Sequence, residues 1–357
     1  MAPETAHRIA VIPGDGIGVE VMASARAVLD AAAGRYGLEL TYDDFDWSCQ
    51  RYAESGSMMP ADGIDVLRAY DAILLGAVGW PGVPDHVSLW GLLIPIRRAF
   101  RLYANVRPVK VMEGVTSPLR GAEPGGVDLV VVRENVEGEY SEIGGRVNRG
   151  FPDEMAVQES VFSRVGVERI ARYAFELARS RRGRLTSATK SNGIVHTLPF
   201  WDEVVAEVAA DYPDVEWDSE HIDALCAKVV LDPGRFDVIV ASNLFGDVLS
   251  DLTAAVAGSI GIAPSANLDP TRTSPSMFEP VHGSAPDIAG KGVANPLGAV
   301  WSAAMMLDHL GHEAAGAGVF RAVEHSLRDE SSRTRDLGGS ADNDRATEAL
   351  VRLVAEA

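Results

Sequence analysis

The chain is predicted to fold as an α/β protein around a largely parallel sheet. Short β-branched runs such as Phe236-Asp-Val-Ile-Val-Ala241 have the length and composition of buried strands. Each run is followed by a segment with helical spacing, and this β-then-α unit recurs along the chain. The strand ends carry glycines, arginines and aspartates, where open α/β sheets bind ligands.

The elements follow in order. Arg8-Ile-Ala-Val-Ile12 reads as a strand, Pro13-Gly-Asp-Gly-Ile-Gly18 as a turn, and Val19 to Ala33 as a helix. A second buried strand, Ala72-Ile-Leu-Leu75, leads into Gly76-Ala-Val-Gly-Trp-Pro-Gly82, and a helix runs from about Leu89 to Phe100. Strands are expected at Ala104 to Val111 and Val127 to Val132. Glu139 to Arg149 and Met155 to Phe162 alternate, with Gly144-Gly145 among them, and read as a two-stranded arm. Regular units then resume: helix Gly166–Arg179, strand Arg184–Ala188, helix Val195–Asp211, strand Val215–His221 and helix Asp223–Val230. The strand Phe236–Ala241 and the helix after it come next. Gly258 to Asn295 reads as loop-rich, before helices at Pro296–Leu310, Glu313–Arg328 and Asp344–Ala355.

The length of 357 residues suggests two domains, and 46% hydrophobic content supplies a large core. The net charge of −19 and the absence of a Lys/Arg cluster argue against nucleic acid or an anionic membrane as partner. No run approaches the roughly 18 apolar residues of a membrane span, and Met1-Ala-Pro-Glu-Thr5 lacks a signal sequence. Cys49 and Cys226 make neither a metal spacing nor a disulfide framework, so the expected location is cytoplasmic. Lysine is scarce: of 32 basic residues only Lys110, Lys190, Lys228 and Lys291 are lysines. A lysine in a polar motif, such as Lys190 in Thr189-Lys-Ser-Asn192, then points to a group that must be able to lose its proton.

Asp247 and Asp251, in Asn243-Leu-Phe-Gly-Asp-Val-Leu-Ser-Asp251, fall on one face near the start of a helix. Two hard oxygen ligands at the end of a strand suit Mg²⁺ or Mn²⁺. Acidic residues facing the helix macrodipole are the plainer alternative. Gly14-Asp-Gly-Ile-Gly18 has the spacing G-x-G-x-G and so fails the dinucleotide fingerprint G-x-G-x-x-G. Arg97, Arg107 and Arg133 stand on a helix and at two strand ends, as a clamp for a di- or tricarboxylate would; surface ion pairing is the alternative for each. Tyr140, seven residues after Arg133, is either packing or a proton donor. Asp223 opens a helix, as an N-cap or as a third metal carboxylate. Phe278-Glu-Pro-Val-His-Gly-Ser-Ala-Pro-Asp287 carries groups suited to ribose and phosphate.

These motifs, continued through Tyr103-Ala-Asn-Val-Arg-Pro108, Arg133-Glu-Asn-Val-Glu-Gly-Glu-Tyr140 and Ala294-Asn-Pro296, run in order over nearly the whole chain. Together they resemble the β-decarboxylating D-2-hydroxyacid dehydrogenases, the isopropylmalate/isocitrate dehydrogenase family. Gly76-Ala-Val-Gly-Trp-Pro with Val83-Pro-Asp-His-Val-Ser-Leu-Trp-Gly91 is similar to the tartrate/D-malate dehydrogenase branch.

The resemblance implies a two-domain fold with a mixed central sheet, not a Rossmann fold. One domain would hold 1–103 with 258–357 and the other 104–257, with the active site in the cleft between them. It assigns Arg97, Arg107 and Arg133 to substrate carboxylates, Tyr140 and Lys190 to proton transfer, and Asp223, Asp247 and Asp251 to Mg²⁺ or Mn²⁺. A monovalent cation such as K⁺ is compatible with it. In the family, Lys190 and Asp223 reach the site of a partner subunit, which implies a homodimer with shared active sites and an interlocking arm at Gly144-Gly145. His282, Gly283, Ser284 and Asn295 would line an adenosine pocket, with Asn192 near the nicotinamide. Asp287 would hold the ribose, and with the uncharged Ile288 beside it NAD⁺ is expected over NADP⁺. Trp90 would face the group on C3 of the substrate, favouring D-malate or tartrate. 3-Isopropylmalate dehydrogenase is the alternative, isocitrate dehydrogenase a third reading. A paralogue without catalysis would show damage among Tyr140, Lys190, Asp223, Asp247 and Asp251, and all five are intact.

Overall fold

The computed structural model describes residues 6–357. Met1–Thr5, on which the expected lack of a signal sequence rests, lie outside them. Twelve strands are found among these residues: β1 Ala6–Gly14, β2 Glu39–Asp44, β3 Ala72–Ala77, β4 Ala104–Lys110, β5 Asp128–Glu134, β6 Gly144–Val147, β7 Met155–Gln158, β8 Arg184–Thr189, β9 Glu216–His221, β10 Val238–Ala241, β11 Pro264–Leu268 and β12 Ser276–Pro280. The helices are α1 Gly18–Tyr36, α2 Cys49–Ser55, α3 Gly63–Leu67, α4 Asp85–Ser88, α5 Ile94–Ala99, α6 Arg164–Ser180, α7 Thr197–Ala209, α8 Ile222–Leu231, α9 Asn243–Val256, α10 Leu297–His309, α11 Glu313–Ser326 and α12 Asn343–Glu356. Ten strands form one mixed sheet in the order β2-β1-β3-β12-β11-β4-β5-β10-β8-β9; β6 and β7 pair separately. Among the described residues no helix is long and apolar enough to cross a membrane.

The chain divides into two compact units. The first contains residues up to 102, 107–127 and 254–357; the second contains 103–106 and 128–253. Segment 107–127, read from sequence with the second domain, clusters with the first unit. Its contacts explain why: Lys110 Nζ donates to Glu324 of α11 at 2.7 Å, and Gly114 and Val115 lie directly against Leu327 and Gly258.

In the first unit β1 runs parallel to β2 and β3, and β12 runs parallel to β3. Every residue of β3 is buried, as an interior parallel strand requires. β11 and β12 form an antiparallel pair inside the stretch that reads as loop from sequence. That reading is corrected here. Pro264, Asn267 and Pro280 break up any apolar run, yet Asn267 is wholly buried and turns its amide to Met277 O and Glu279. β2 was also missed; its sequence Glu-Leu-Thr-Tyr-Asp-Asp lies at the outer edge of the sheet and lacks a buried run. In the second unit β5, β10, β8 and β9 are all parallel, and Val238–Ala241 is buried throughout.

The helix expected from Leu89 to Phe100 is not regular. A π turn spans Leu89–Leu93 between α4 and α5. Pro95, at the start of α5, has no N–H to give to the preceding turn, and the backbone widens there. The arm is shorter than its sequence alternation predicts, with four residues in each strand and every one of them exposed.

Candidate active site

In the second unit, β5 and β10 place Arg133 beside Ala241. The chain leaves β10 through Ser242 and enters α9, so the start of this helix lies next to the end of β5. Gly246 makes the approach feasible: a Cβ there would come within 2.6 Å of Arg133 Cβ. Arg133 is 2% exposed. Its Nε and Nη2 donate to Asn243 Oδ1 at 3.0 and 2.7 Å, and its Nη1 pairs with Asp247. Tyr140 donates its hydroxyl to the other oxygen of Asp247 at 2.8 Å. Burial, and then the Asp247 charge, raise the Tyr140 pKa above the usual phenol value, so the group stays protonated at neutral pH. Arg133, Tyr140 and Asp247 thus form one contiguous cluster, with Asp251 one helical turn further on.

Three glutamates between Arg133 and Tyr140 were not singled out from sequence, and each fixes a different element. Glu134 is buried, accepts the N–H groups of Val136 and Glu137 at 2.9 and 2.8 Å, and pairs with Arg169 at 3.0 Å. Desolvation outweighs these partners and pushes its pKa to about 7. Glu137 takes Ser163 N and Oγ at 2.9 and 2.8 Å, anchoring the start of α6. Glu139 takes Ser242 Oγ at 2.7 Å and Leu244 N at 3.0 Å, capping α9 with a negative charge at its positive end. The Asn243 amide closes the loop by donating to Glu137 O at 3.0 Å. The signal available in the sequence was the spacing of these acids around Gly138, whose φ of 97° bends the loop toward Asn243.

Lys190 and Asp223 follow the paired strands β8 and β9, which match Thr189 to His221. The Lys190 ammonium donates to Asp223 Oδ1 at 2.7 Å, and this contact holds the Asp223 pKa below the usual carboxylate value. Among the described residues no three His, Cys, Asp or Glu side chains are grouped as a metal site, so a single chain does not bring Asp223 to Asp247 and Asp251. Asn192, two residues after Lys190, is exposed.

In the first unit, Arg97 is buried on α5 and donates to Glu279 of β12 at 2.7 Å. Asn267 supports the same carboxylate at 2.8 Å. Arg107 is buried on β4, so neither arginine is a surface ion pair. Trp90 lies on the π turn, half-buried, with the Arg98 guanidinium 4.9 Å from its ring centroid. The glycine turn after β1 is a packing joint. A Cβ on Gly14 or Gly16 would lie 2.0 Å from the carbonyl oxygen of Ala77 or Ser284, and Ile17 N donates to Ser284 O at 2.9 Å. Asp15 accepts from Cys49 N at 2.9 Å and Gly79 N at 3.0 Å. The turn therefore meets the His282-Gly-Ser284 loop directly. A cavity of about 800 Å³ beside it is lined by Gly16, Glu20, Gln50, Trp80 and Gly290.

The model of the isocitrate/isopropylmalate dehydrogenase family matches residues 8–354. The chain belongs to this family. It is 54% identical to D-malate dehydrogenase [decarboxylating] of Escherichia coli strain K12, over 97% of this chain and 98% of that protein. It is 56% identical to a probable tartrate dehydrogenase/decarboxylase of Bacillus subtilis, over 96% of both. Tartrate dehydrogenase/decarboxylase of Pseudomonas putida is 52% identical over 99% of both. Among solved structures, isocitrate dehydrogenase from Methylococcus capsulatus superposes with a TM-score of 0.88 at 36% identity, over 98% of this chain and 99% of that one. The expected family and its α/β fold with a mixed sheet are both borne out, and the protein is an enzyme of the decarboxylating dehydrogenase family.

Within this dehydrogenase frame the residues fit the groups the family implies. Asp247 and Asp251 offer one or two hard oxygen ligands, the usual protein share of a Mg²⁺ site whose other positions go to water and substrate. His282 is 9% exposed; its Nδ1 is 3.0 Å from Gly283 O, while Nε2 is buried with no partner among the described residues. Burial lowers the His282 pKa, so the neutral ring keeps Nε2 for a ligand. Asn295 has less freedom, because it donates to Asp336 at 2.9 Å and accepts Leu297 N at 2.9 Å. Asp287 and Ile288 follow on the same loop, and Lys291 Nζ donates to Asp287 O at 2.6 Å.

Proposed function

We propose that the enzyme oxidises a small D-2-hydroxy diacid with NAD⁺ and releases CO₂. D-malate would give pyruvate, CO₂ and NADH; tartrate is the other candidate substrate. The observation that carries this reading is the Arg133–Asp247–Tyr140 cluster, in a chain 52–56% identical over its length to relatives named for D-malate and tartrate.

Asp247 and Asp251 would hold Mg²⁺ or Mn²⁺, with Asp223 supplied by a second copy of the chain. An ion held there would supply Lewis-acid electron withdrawal, chemistry that favours both oxidation of the alcohol and loss of CO₂. His282, Gly283, Ser284, Asp287, Ile288 and Asn295, with Asn192, would bind NAD⁺, which would supply a hydride acceptor. Arg97, Arg107 and Arg133 neutralise and orient the substrate carboxylates. Lys190 takes the hydroxyl proton. Tyr140, protonated at neutral pH, returns a proton to the enol carbon. Lys190 and Asp223 act across a homodimer, each completing its partner's site.

The test is a panel with NAD⁺ and Mn²⁺: D-malate, three tartrate isomers, 3-isopropylmalate and isocitrate, each with and without chelator. Turnover of D-malate or a tartrate, lost on chelation and restored by Mn²⁺ or Mg²⁺, is expected. A higher kcat/KM for 3-isopropylmalate than for every C4 diacid, or full turnover in metal-free enzyme, overturns the proposal. A second comparison, NAD⁺ against NADP⁺, should favour NAD⁺, because Asp287 repels a 2′-phosphate.

A further inference from the structure

We infer that the recess at the N-terminal ends of β1, β3 and β12 binds a compact oxyanion of the phosphate class. The recess holds about 250 Å³. His7 enters from β1, Arg68 and Tyr70 from the segment before β3, Arg272 and Ser274 from the turn before β12, and His309 from the end of α10.

Charge decides the class of ligand. The chain as a whole carries −19, yet this wall presents two guanidinium groups against one carboxylate, with the His7 and His309 rings beside them as hydrogen-bonding groups. That carboxylate, Asp71, already accepts Arg8 N at 2.8 Å and lies 3.7 Å from His7 Nδ1. Among the described residues Arg68 makes one ion pair, with the exposed Asp65 at 3.5 Å, and its guanidinium lies 5.4 Å from the Phe100 ring centroid. Arg272 makes no ion pair among the described residues.

The turn that presents Arg272 is built rather than loose. Asp269 sits beneath it and is 3% exposed. One of its oxygens accepts Thr271 N and Oγ1 at 3.1 and 2.6 Å. The other accepts Thr273 N and Oγ1 and Ser274 N at 2.9, 2.8 and 3.1 Å. The hydrogen-bonding capacity of Asp269 is thereby taken up by the turn, while its charge still acts on His309. Arg272 is held at a φ of 55°, a conformation that disfavours any side chain but is retained here. His309 faces the same space; burial, and then the nearby Arg272, outweigh the Asp269 charge beneath and lower its pKa to about 4, so the ring is neutral at pH 7 and the positive charge of the wall is that of the two arginines. An oxyanion supplies the counter-charge and gains charge-assisted hydrogen bonds from both arginines.

The site is separate from the chemistry. The same three strands that begin at this recess end at Gly14, Ala77 and Pro280, which lead into the glycine turn, the Gly79 loop and His282. Six residues of strand put roughly 20 Å between the two ends.

The test uses the full-length enzyme, with inorganic phosphate as probe and histidine imidazole signals followed by NMR against chloride at matched ionic strength. Saturable shifts of His309 and His7 are expected with phosphate and not with chloride. Arg272→Gly, which also relieves the positive φ, should weaken the apparent Kd about tenfold or more; Arg272→Lys should recover part of it. Unsaturable shifts, equal shifts with chloride, or an unchanged Kd in Arg272→Gly would overturn the assignment.

Discussion

Asp247 accepts from Arg133 with one oxygen and from Tyr140 with the other, so one carboxylate sets the position of both the proposed substrate clamp and the proposed proton donor. Tyr140→Phe removes the proton and leaves the ring in place. The expected result is a fall in kcat of about 10²–10⁴ with KM nearly unchanged; equal loss in both parameters would indicate a binding role instead. A residue-scale pH effect is expected at His309, which packs beside Phe278, Arg272 and Asp269. Its folded pKa of about 4 lies below the unfolded value of 6.5. The unfolded chain therefore takes up the proton first as pH falls, and the stability contribution, present above 6.5, is lost toward 4. Between pH 7 and pH 5 this amounts to about 2 kcal/mol. Urea midpoints at the two pH values should diverge less in His309→Gln than in the parent. Arg133, Tyr140, Lys190 and the aspartates were legible as candidates because their motifs set polar residues in unusual contexts at or soon after strands. Their supports were not. Arg97 with Glu279 joins positions 182 apart, and no local pattern encodes such a partner.

At the scale of elements, buried strands were legible where their composition is an unbroken apolar run. β3, β5 and β10 are apolar runs and were read correctly, whereas β11 and β12 form their strands from prolines, serines and a buried asparagine. Backbone pairing and the Asn267 amide hold those two strands, and neither leaves a hydrophobic period. The π turn was invisible for a related reason: Leu89 to Phe100 has a helical composition, and only Pro95 marks the break. One extra residue in a turn rotates the side chains before it by about 100° relative to a regular helix. The direction in which Trp90 points is therefore a property of Pro95 as well as of its own position. Trp90→Ala should raise the kcat/KM ratio of 3-isopropylmalate to D-malate about tenfold or more, since overfilling a pocket costs about 1–3 kcal/mol. An unchanged ratio would remove Trp90 from the specificity account.

For the whole molecule, the decisive question is whether one chain suffices. Lys190 and Asp223 satisfy each other within a chain, and among the described residues no group of three metal-ligating side chains forms around Asp247 and Asp251. If sites are shared across a dimer, inactive Lys190→Ala and Tyr140→Phe subunits should complement when mixed, because one site of each mixed dimer carries neither lesion. A random mixture would recover activity toward one quarter of the parent, from the statistics of pairing half the subunits into hybrids with one intact site. Verified heterodimers without activity would place both residues in one subunit's site.

The arm of β6 and β7 has a consequence for how the molecule is made. Isolated two-stranded hairpins are marginal in water, yet this one exposes Ile143, Val147, Phe151, Met155 and Val157, each about half or more. If the enzyme is the homodimer proposed above, this pairing is expected to become stable only when a second chain covers it, with assembly as the closing event of folding. Refolding from denaturant should show two orders of kinetics. Helix signal should return at a rate independent of protein concentration, while activity should return with a half-time that shortens in proportion as the concentration rises.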